Sequence, residues 1–144
     1  MDYKIAILPG DGIGPEVISE AVKILKVIEK KYDHSFELLD GIIGGAAIDK
    51  YANPIPKETL SVIDKSDAIL FGAVGGSKWE DVEREKRPEA ALLKLRKDLD
   101  LFANLRPAIV LDALVEASSL KSHLIKGLDT VSYTHLTLPT ILLV

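Results

Sequence analysis

Near the start of the chain, a short apolar segment is followed directly by a helix-like pattern, and this pair sets the class of fold that the sequence can form. Residues 4–8 read Lys-Ile-Ala-Ile-Leu and end at Pro9-Gly10. A short, branched, glycine-bounded run of this kind is typical of a strand buried in a parallel sheet. Pro15 can occupy the first helical position, where its missing N–H costs nothing. Apolar residues then recur at helical spacing, which predicts a helix with one face on the sheet: Val17, Ile18, Ala21, Val22, Leu25 and Ile28.

Strand-like and helix-like segments continue to alternate along the chain. Further strands are predicted at 35–39, at 68–71 and at 101–109, the last interrupted at Pro107. Further helices are predicted within 41–52, at 56–64, at 89–98 and at 118–126, the last capped by Ser118 or Ser119. This alternation predicts an α/β fold in which helices flank a mostly parallel sheet.

A glycine-rich turn, Gly10-Asp-Gly-Ile-Gly14, joins the first predicted strand to the first predicted helix. Its spacing is G-x-G-x-G, whereas the dinucleotide-binding fingerprint is G-x-G-x-x-G. Asp40 also lies farther along the chain than the position, roughly 20 residues on, where that fingerprint has its acidic residue. The turn therefore favours close backbone approach ahead of a free helix N-terminus over a standard dinucleotide site. The alternative that the turn is a loop beside a cofactor site of another kind stays open.

The helix predicted at 89–98 carries charged and apolar side chains on one face. Glu89, Leu92, Leu93 and Arg96 fall at i, i+3, i+4 and i+7. Periodicity alone favours two core-facing leucines flanked by surface charges, but such a face could also bind a carboxylate ligand with an alkyl branch. Arg106 follows at the end of an apolar strand, where an unpaired charge is costly. Each of the two arginines could hold a carboxylate through a two-pronged contact.

The composition argues against several classes of partner and site. A formal charge of -4, from 18 basic and 22 acidic residues, disfavours nucleic acid or an anionic membrane surface as the main partner. Because the sequence has no cysteine, disulfides and zinc–thiolate sites are excluded. We find no signal peptide, and no apolar run approaches the roughly 18 residues that a membrane span needs. We therefore expect a cytoplasmic protein.

Four stretches of the sequence carry a family resemblance when they are taken together, in order and with their spacing. They are Ile7–Glu16, Leu70–Gly76, Lys78-Trp79, and Arg87–Arg96 running on to Leu101–Pro107. These stretches resemble the β-decarboxylating dehydrogenases of 2-hydroxy acids, and the last is similar to the 3-isopropylmalate dehydrogenases among them. The resemblance covers about residues 3–129 and implies an isocitrate/isopropylmalate dehydrogenase-like fold.

The resemblance implies substrate-binding roles for four residues. Arg96 and Arg106 would bind the carboxylates of a 2-hydroxy dicarboxylate substrate. Leu92 and Leu93 would contact the isopropyl group of 3-isopropylmalate. At about 0.8 kcal/mol per buried carbon, this contact would give a preference of about 2–3 kcal/mol over bare malate.

The resemblance also implies NAD as the cofactor and a two-stage reaction. The residues expected to line the NAD side are Gly76, Ser77, Lys78, Trp79 and Glu89. Glu89 would lie near the nicotinamide ring, whereas Ser77 stands where the family often has proline. The implied reaction, a step of leucine biosynthesis, oxidises 3-isopropylmalate and then releases its β-carboxylate as carbon dioxide, giving 4-methyl-2-oxopentanoate. Mg²⁺ or Mn²⁺ would polarise the hydroxyl and carbonyl oxygen.

The resemblance further implies that this chain is only the N-terminal part of such an enzyme. In the family, the metal-binding aspartates, the catalytic lysine and much of the adenosine site lie beyond the matched residues. We therefore expect an incomplete fold and an inactive fragment, and we assign no catalytic and no metal-binding residue within it. The full-length protein is expected to be a homodimer.

The predicted domain organisation has three parts. Residues 1–100 would form the first part of a large α/β domain, 101–130 the start of a second domain, and 131–144 a non-native tail. From Val131 to Val144 there is no Asp, Glu, Lys or Arg, and this segment resembles translated sequencing-adapter sequence. Its alternation is strand-like, but Pro139 would break a strand.

Three alternatives stay open. The chain could come from a related enzyme that acts on isocitrate, homoisocitrate or tartrate, although Leu92 and Leu93 favour isopropylmalate. It could be a non-catalytic regulatory homologue that keeps the fold. It could also be an unrelated dinucleotide-binding module.

Overall fold

The computed structural model describes residues 1–135 of the 144-residue chain. The chain divides into two structural units, with the boundary between Leu95 and Arg96. The three-part organisation into residues 1–100, 101–130 and 131–144 stays a prediction. Among the described residues, every helix is too short or too polar to pass through a lipid bilayer.

The first unit is built on a parallel sheet of three strands. The strands are β1 (Asp2–Gly10), β2 (Ser35–Asp40) and β3 (Ala68–Ala73). Their order in the sheet is β2-β1-β3, so β1 is the central strand, and Ile7 pairs with Asp40 on one side and Leu70 on the other. This arrangement confirms the predicted α/β class with a mostly parallel sheet.

Four helices accompany this sheet. They are α1 (Gly14–Tyr32), α2 (Gly45–Tyr51), α3 (Lys57–Asp64) and α4 (Pro88–Asp98). Between β3 and α4 the chain forms two short 3₁₀ turns, Ser77–Trp79 and Arg84–Lys86.

Because successive side chains of a strand point to opposite faces, the central strand has a core on each side. Ile5 and Ile7 pack with Ile18 of α1, and with the half-buried Val22 and Leu25 at helical spacing. On the other face, Ala6 and Leu8 join a buried cluster with Ile43, Ile55, Ile63, Ala91 and Leu95. Fully burying one such aliphatic side chain is worth roughly 1.5–3 kcal/mol. The sheet is therefore covered by helices on both faces.

Local signals define the two ends of α1. Pro15 lies in its first turn, as predicted, and the helix stops at Asp33, whose φ of 52° is left-handed. Asparagine and aspartate tolerate this conformation better than most non-glycine residues.

The second unit contains an antiparallel pair of strands. They are β4 (Ala103–Ile109) and β5 (Asp129–His135), which pair from Ala103 with His135 to Ile109 with Asp129. A 3₁₀ turn at Asp112–Ala117 and the short helix α5 (Ser122–Ile125) lie between them.

The predicted cap of the last helix is wrong. α5 begins at Ser122, and its N-cap residue Lys121 makes no side-chain capping bond. The Ser118 hydroxyl instead accepts a hydrogen bond from the Leu120 N–H at 3.1 Å, closing a local turn ahead of the helix. Serine side chains form such turns as well as N-caps, so a serine before a helical pattern does not by itself mark the first residue of the helix.

The predicted interruption at Pro107 is also wrong, because β4 continues through it and Pro107 pairs with Val131. A two-stranded sheet leaves one edge of β4 outside the ladder, where proline's missing N–H costs nothing. The predicted break at Pro139 lies outside the described residues, and the non-native origin of residues 131–144 stays a prediction.

Candidate functional site

The carboxyl ends of the parallel strands bring two glycine-containing loops together. Gly10, at the end of β1, pairs with Ala73 at the end of β3. The Asp11 N–H donates to the Ala73 carbonyl at 2.6 Å, and a Cβ on Gly10 or Gly14 would overlap neighbouring backbone atoms. The predicted close backbone approach of this turn is confirmed. In open α/β sheets, this edge is where ligands bind.

Asp11 connects three segments at this edge. Its side chain is buried, and its carboxylate accepts backbone N–H bonds from Gly45 at 2.6 Å, Ala46 at 2.7 Å and Gly75 at 3.2 Å. Gly45 and Ala46 open α2, and Gly75 follows β3. A charged acceptor strengthens each bond and offsets the cost of burial. Asp11 therefore holds the glycine-rich turn, α2 and the loop after β3 in one arrangement.

Glu89 lies against the loop after β3. It occupies the first turn of α4, where a carboxylate interacts favourably with the helix dipole. Gly75 has a φ of 118°, and a Cβ there would come within 2.6 Å of Glu89 Oε1. The structure thus brings Glu89 beside Gly75, the residue directly before the exposed Gly76 of the predicted cofactor side.

Lys78 and Trp79 are both bound by Asp49 of α2. The Lys78 ammonium forms an ion pair with one carboxylate oxygen of Asp49, and Trp79 Nε1 donates to the other at 3.2 Å. The hydrogen bond from Lys78 is the main cause that lowers the pKa of Asp49 below its usual value. Trp79 is half-buried, with its ring against the backbone of Gly45. Ser77 is exposed at the start of the same 3₁₀ turn.

Arg87 organises the charged loop between Trp79 and α4. Its Nε donates to the Val82 carbonyl at 2.9 Å, and its Nη2 donates to the Glu80 carbonyl at 2.6 Å. These bonds hold the loop against Arg87, directly before the buried Pro88, and so fix the path of the chain into α4.

The predicted ligand face of α4 is distinct from its core face. Ala91 and Leu95 are the buried apolar residues of the helix, whereas Leu93 is 62% exposed. Leu92 and Arg96 are half-buried. The interpretation of Leu92 and Leu93 as two core-facing leucines is therefore wrong for Leu93, and an apolar side chain is left available beside charged ones.

Arg106 lies on β4, in the second unit, and is exposed. Its convergence with Arg96 on one dicarboxylate stays a prediction, as do the substrate contacts of Leu92 and Leu93.

Sequence reasoning missed Asp11 and Asp49 as organising residues. The position of Asp11 between glycines, directly after a buried strand, was an available signal for a buried turn carboxylate. No local signal marks Asp49, because Lys78 and Trp79 are 29 and 30 residues away.

The described residues suit a nucleotide better than a metal ion. Within residues 1–135, no three His, Asp or Glu side chains are grouped closely enough to hold a metal ion. By contrast, Gly76, Trp79 and Glu89 present bare backbone, an aromatic ring and a carboxylate from adjoining segments, which fits contact with one end of a dinucleotide.

A sequence model described as isocitrate/isopropylmalate dehydrogenase matches residues 4–138. The chain belongs to this dehydrogenase family. The resemblance of the four stretches is thereby confirmed, and the alternative of an unrelated dinucleotide-binding module is excluded.

Curated relatives in this family include 3-isopropylmalate dehydrogenases of two bacteria. The protein of Aquifex aeolicus is 53% identical over 135 residues, which are 94% of this chain and 37% of that protein. The protein of Pseudomonas savastanoi is 53% identical over 137 residues, which are 95% of this chain and 38% of that protein. The chain therefore spans little more than a third of the length of these relatives.

Solved structures of the family share the fold. A β-decarboxylating dehydrogenase of Thermococcus kodakarensis matches with a TM-score of 0.64 and 33% identity, over 94% of this chain and 34% of that one. An isocitrate dehydrogenase of Methylococcus capsulatus matches with a TM-score of 0.68 and 26% identity, over 90% of this chain and 33% of that one. The prediction of a partial dehydrogenase fold of this family is confirmed.

Proposed function

We propose that this chain is the N-terminal part of an NAD-dependent 3-isopropylmalate dehydrogenase of leucine biosynthesis, and that it is inactive without the rest of the enzyme. The observation that carries the substrate assignment is the 62% exposure of Leu93 on a helix whose core contacts come from Ala91 and Leu95. An exposed leucine in a family of dicarboxylate dehydrogenases suits an alkyl branch, whereas an acidic branch would require a cation or hydroxyl at that position.

On the substrate side, Arg96 and Arg106 hold the two carboxylates. Guanidinium groups suit this role because their planar N–H pairs match the two oxygens of a carboxylate. Leu92 and Leu93 cover the isopropyl group and exclude water from it. A preference of about 2–3 kcal/mol over bare malate corresponds to roughly 30- to 150-fold.

On the cofactor side, the bound NAD supplies the acceptor for the hydride removed from the hydroxyl-bearing carbon of the substrate. Gly76, Ser77, Lys78 and Trp79 line its path, and Glu89 stands at the nicotinamide end. The supporting geometry is the contact of Glu89 with Gly75, together with the Asp49 bonds to Lys78 and Trp79.

The described residues do not form a metal site by themselves. We assign binding of Mg²⁺ or Mn²⁺, and the proton-transfer residues, to the portion of the relatives that this chain does not cover. A homodimeric, cytoplasmic enzyme is part of the same proposal.

The test uses the full-length gene product, assayed for NADH formation with 3-isopropylmalate, isocitrate, homoisocitrate and tartrate. We expect 3-isopropylmalate to give the highest kcat/KM. Leu93→Ala should lower the preference for isopropylmalate over malate by about tenfold, while Lys97→Ala, an exposed change on the same helix, should leave it unaltered. Highest activity on another acid would refute the substrate assignment. Complete inactivity of the well-folded full-length protein would favour a regulatory homologue.

A further inference from the structure

Helix α2 is bound at its start and again along its length by two different aspartates. At its N-terminus, the buried Asp11 carboxylate accepts the N–H groups of Gly45 and Ala46. One turn later, the Asp49 carboxylate of the helix accepts hydrogen bonds from Lys78 and Trp79. The helix is therefore a short rigid connection between the strand edge and the 3₁₀ turn at Ser77–Trp79.

The 3₁₀ turn itself has few bonds of its own. Trp79 N–H donates to the Gly76 carbonyl at 3.1 Å, and Glu80 N–H donates to the Ser77 carbonyl at 3.2 Å. A single turn of this kind has little cooperative stability, because 3₁₀ hydrogen bonds have poor geometry. Its conformation must therefore depend on contacts from outside the turn.

Asp49 supplies contacts of this kind to two adjacent side chains at once. Each of its two oxygens takes one donor, so a single rotamer of Asp49 fixes both Lys78 and Trp79. The Lys78 Nζ also lies 5.3 Å from the centroid of the Trp79 ring, within cation–π range. The ring also meets Gly45, where a Cβ would overlap it. The indole is thus held between the start of α2 and the Asp49 carboxylate.

We infer that Asp49 is a positioning residue of the cofactor side, which acts through Lys78 and Trp79 and governs the affinity for the dinucleotide. This inference rests on the proposed function, since it assumes that the turn at Ser77–Trp79 meets NAD. It predicts that removing the carboxylate releases both side chains without unfolding the sheet, because Asp49 is exposed and outside the buried clusters.

A first experiment measures the position of the indole directly. Trp79 is the single tryptophan of the sequence, so the intrinsic fluorescence of the 144-residue chain reports on this one ring. Asp49→Ala should shift the emission to longer wavelength and increase quenching by acrylamide. Asp49→Asn keeps an acceptor for the indole N–H and should show a smaller change. Asp64→Ala, an exposed aspartate on α3, is the matched control and should show none.

A second experiment measures the consequence for catalysis in the full-length gene product. Asp49→Ala should raise the KM for NAD by at least about tenfold, with kcat and the KM for isopropylmalate within about twofold of wild type. Asp49→Asn should give an intermediate KM for NAD. A structural defect would instead lower the amount of active enzyme and reduce kcat for both Asp49 variants.

The outcomes separate this inference from the proposed function. Unchanged emission and quenching in Asp49→Ala, with far-ultraviolet circular dichroism like that of wild type, would overturn the positioning role. An unchanged KM for NAD in an active Asp49→Ala enzyme would also overturn it. A wild-type protein without NAD-dependent turnover would refute the proposed function, and with it the cofactor role of Asp49.

Discussion

Replacing Asp11 should destabilise the first unit more than any exposed substitution on it. The carboxylate accepts three backbone N–H bonds, at 2.6 Å from Gly45, 2.7 Å from Ala46 and 3.2 Å from Gly75. A hydrogen bond to a charged group contributes about 1.5–3 kcal/mol, and a buried donor left without an acceptor costs about 1–3 kcal/mol. Because the three bonds share one carboxylate and water can enter the space left behind, the losses do not add fully.

We therefore expect Asp11→Ala to lower the free energy of unfolding by about 3–5 kcal/mol. Asp11→Asn keeps one carbonyl oxygen but turns an amide nitrogen toward the remaining donors, so a loss of about 2 kcal/mol is expected. The measurement is urea denaturation of the 144-residue chain, followed by far-ultraviolet circular dichroism. Asp64→Ala, an exposed change on α3, should stay within about 0.5 kcal/mol of wild type.

Amide hydrogen exchange gives a local reading of the same change. The N–H groups of Gly45, Ala46 and Gly75 should exchange faster in Asp11→Asn than in wild type. This increase should be seen under conditions in which the variant is still folded. A loss of less than about 1 kcal/mol in Asp11→Ala would refute the reasoning. Unchanged protection of these three amides would refute it independently.

Three further predictions follow from packing, backbone geometry and charge. Leu95→Ala should lower the free energy of unfolding by about 2–5 kcal/mol in urea denaturation, because Leu95 is only 4% exposed; a loss below about 1 kcal/mol would contradict the core assignment. Gly14→Ala should cost about 1–3 kcal/mol or more, since its Cβ would overlap neighbouring backbone. A Cβ at Gly12 would have no atom within 4 Å, so Gly12→Ala should lower the free energy of unfolding by only about 1 kcal/mol, because of its positive φ. Equal decreases in thermal midpoint for Gly14→Ala and Gly12→Ala would contradict this geometry. The hydrogen bond from Lys78 lowers the pKa of Asp49 in the folded protein below its usual value of 3.8. The ionised carboxylate therefore stabilises the fold at pH values above 3.8, and this contribution is lost as the pH falls through the pKa of Asp49 in the folded protein. The difference in thermal midpoint between wild type and Asp49→Asn should therefore shrink in that acidic range, and a constant difference would contradict it.

The strands and helices of the first unit could largely be predicted because their signals are local. Residues 4–8 form a short apolar run and Ile18, Val22 and Leu25 recur at helical spacing, so β1 and α1 follow from neighbouring residues alone. The cap predicted at Ser118 or Ser119 is wrong for the complementary reason, since a serine can support either a helix start or a tight turn.

The face of α4 shows the limit of periodicity more sharply. Ala91 and Leu95 have a helical spacing of four, and Leu92 lies at the same spacing from Arg96. Both faces contain apolar residues, so the pattern cannot decide which one turns to the sheet. The buried cluster around Leu8 decides it in favour of Ala91 and Leu95.

The bonding partners of the two organising carboxylates could not be predicted, because they are distant in sequence. Asp11 bonds to groups 34, 35 and 64 residues away, and Asp49 to groups 29 and 30 residues away. Only the folded sheet brings these segments together. A family resemblance can assign the ligand side of such a site, but it does not reveal which side chains hold that side in place.

The central position of β1 has a consequence for how the chain is made. In the order of synthesis, β1 precedes both of its sheet neighbours, and the second of them ends at Ala73. The three strands and α1 can therefore assemble around β1 while translation of the following residues continues, since domains generally fold from the N-terminus during synthesis. The residues that follow then add to an existing nucleus, in which residues 5–7 already pair with a strand on each side.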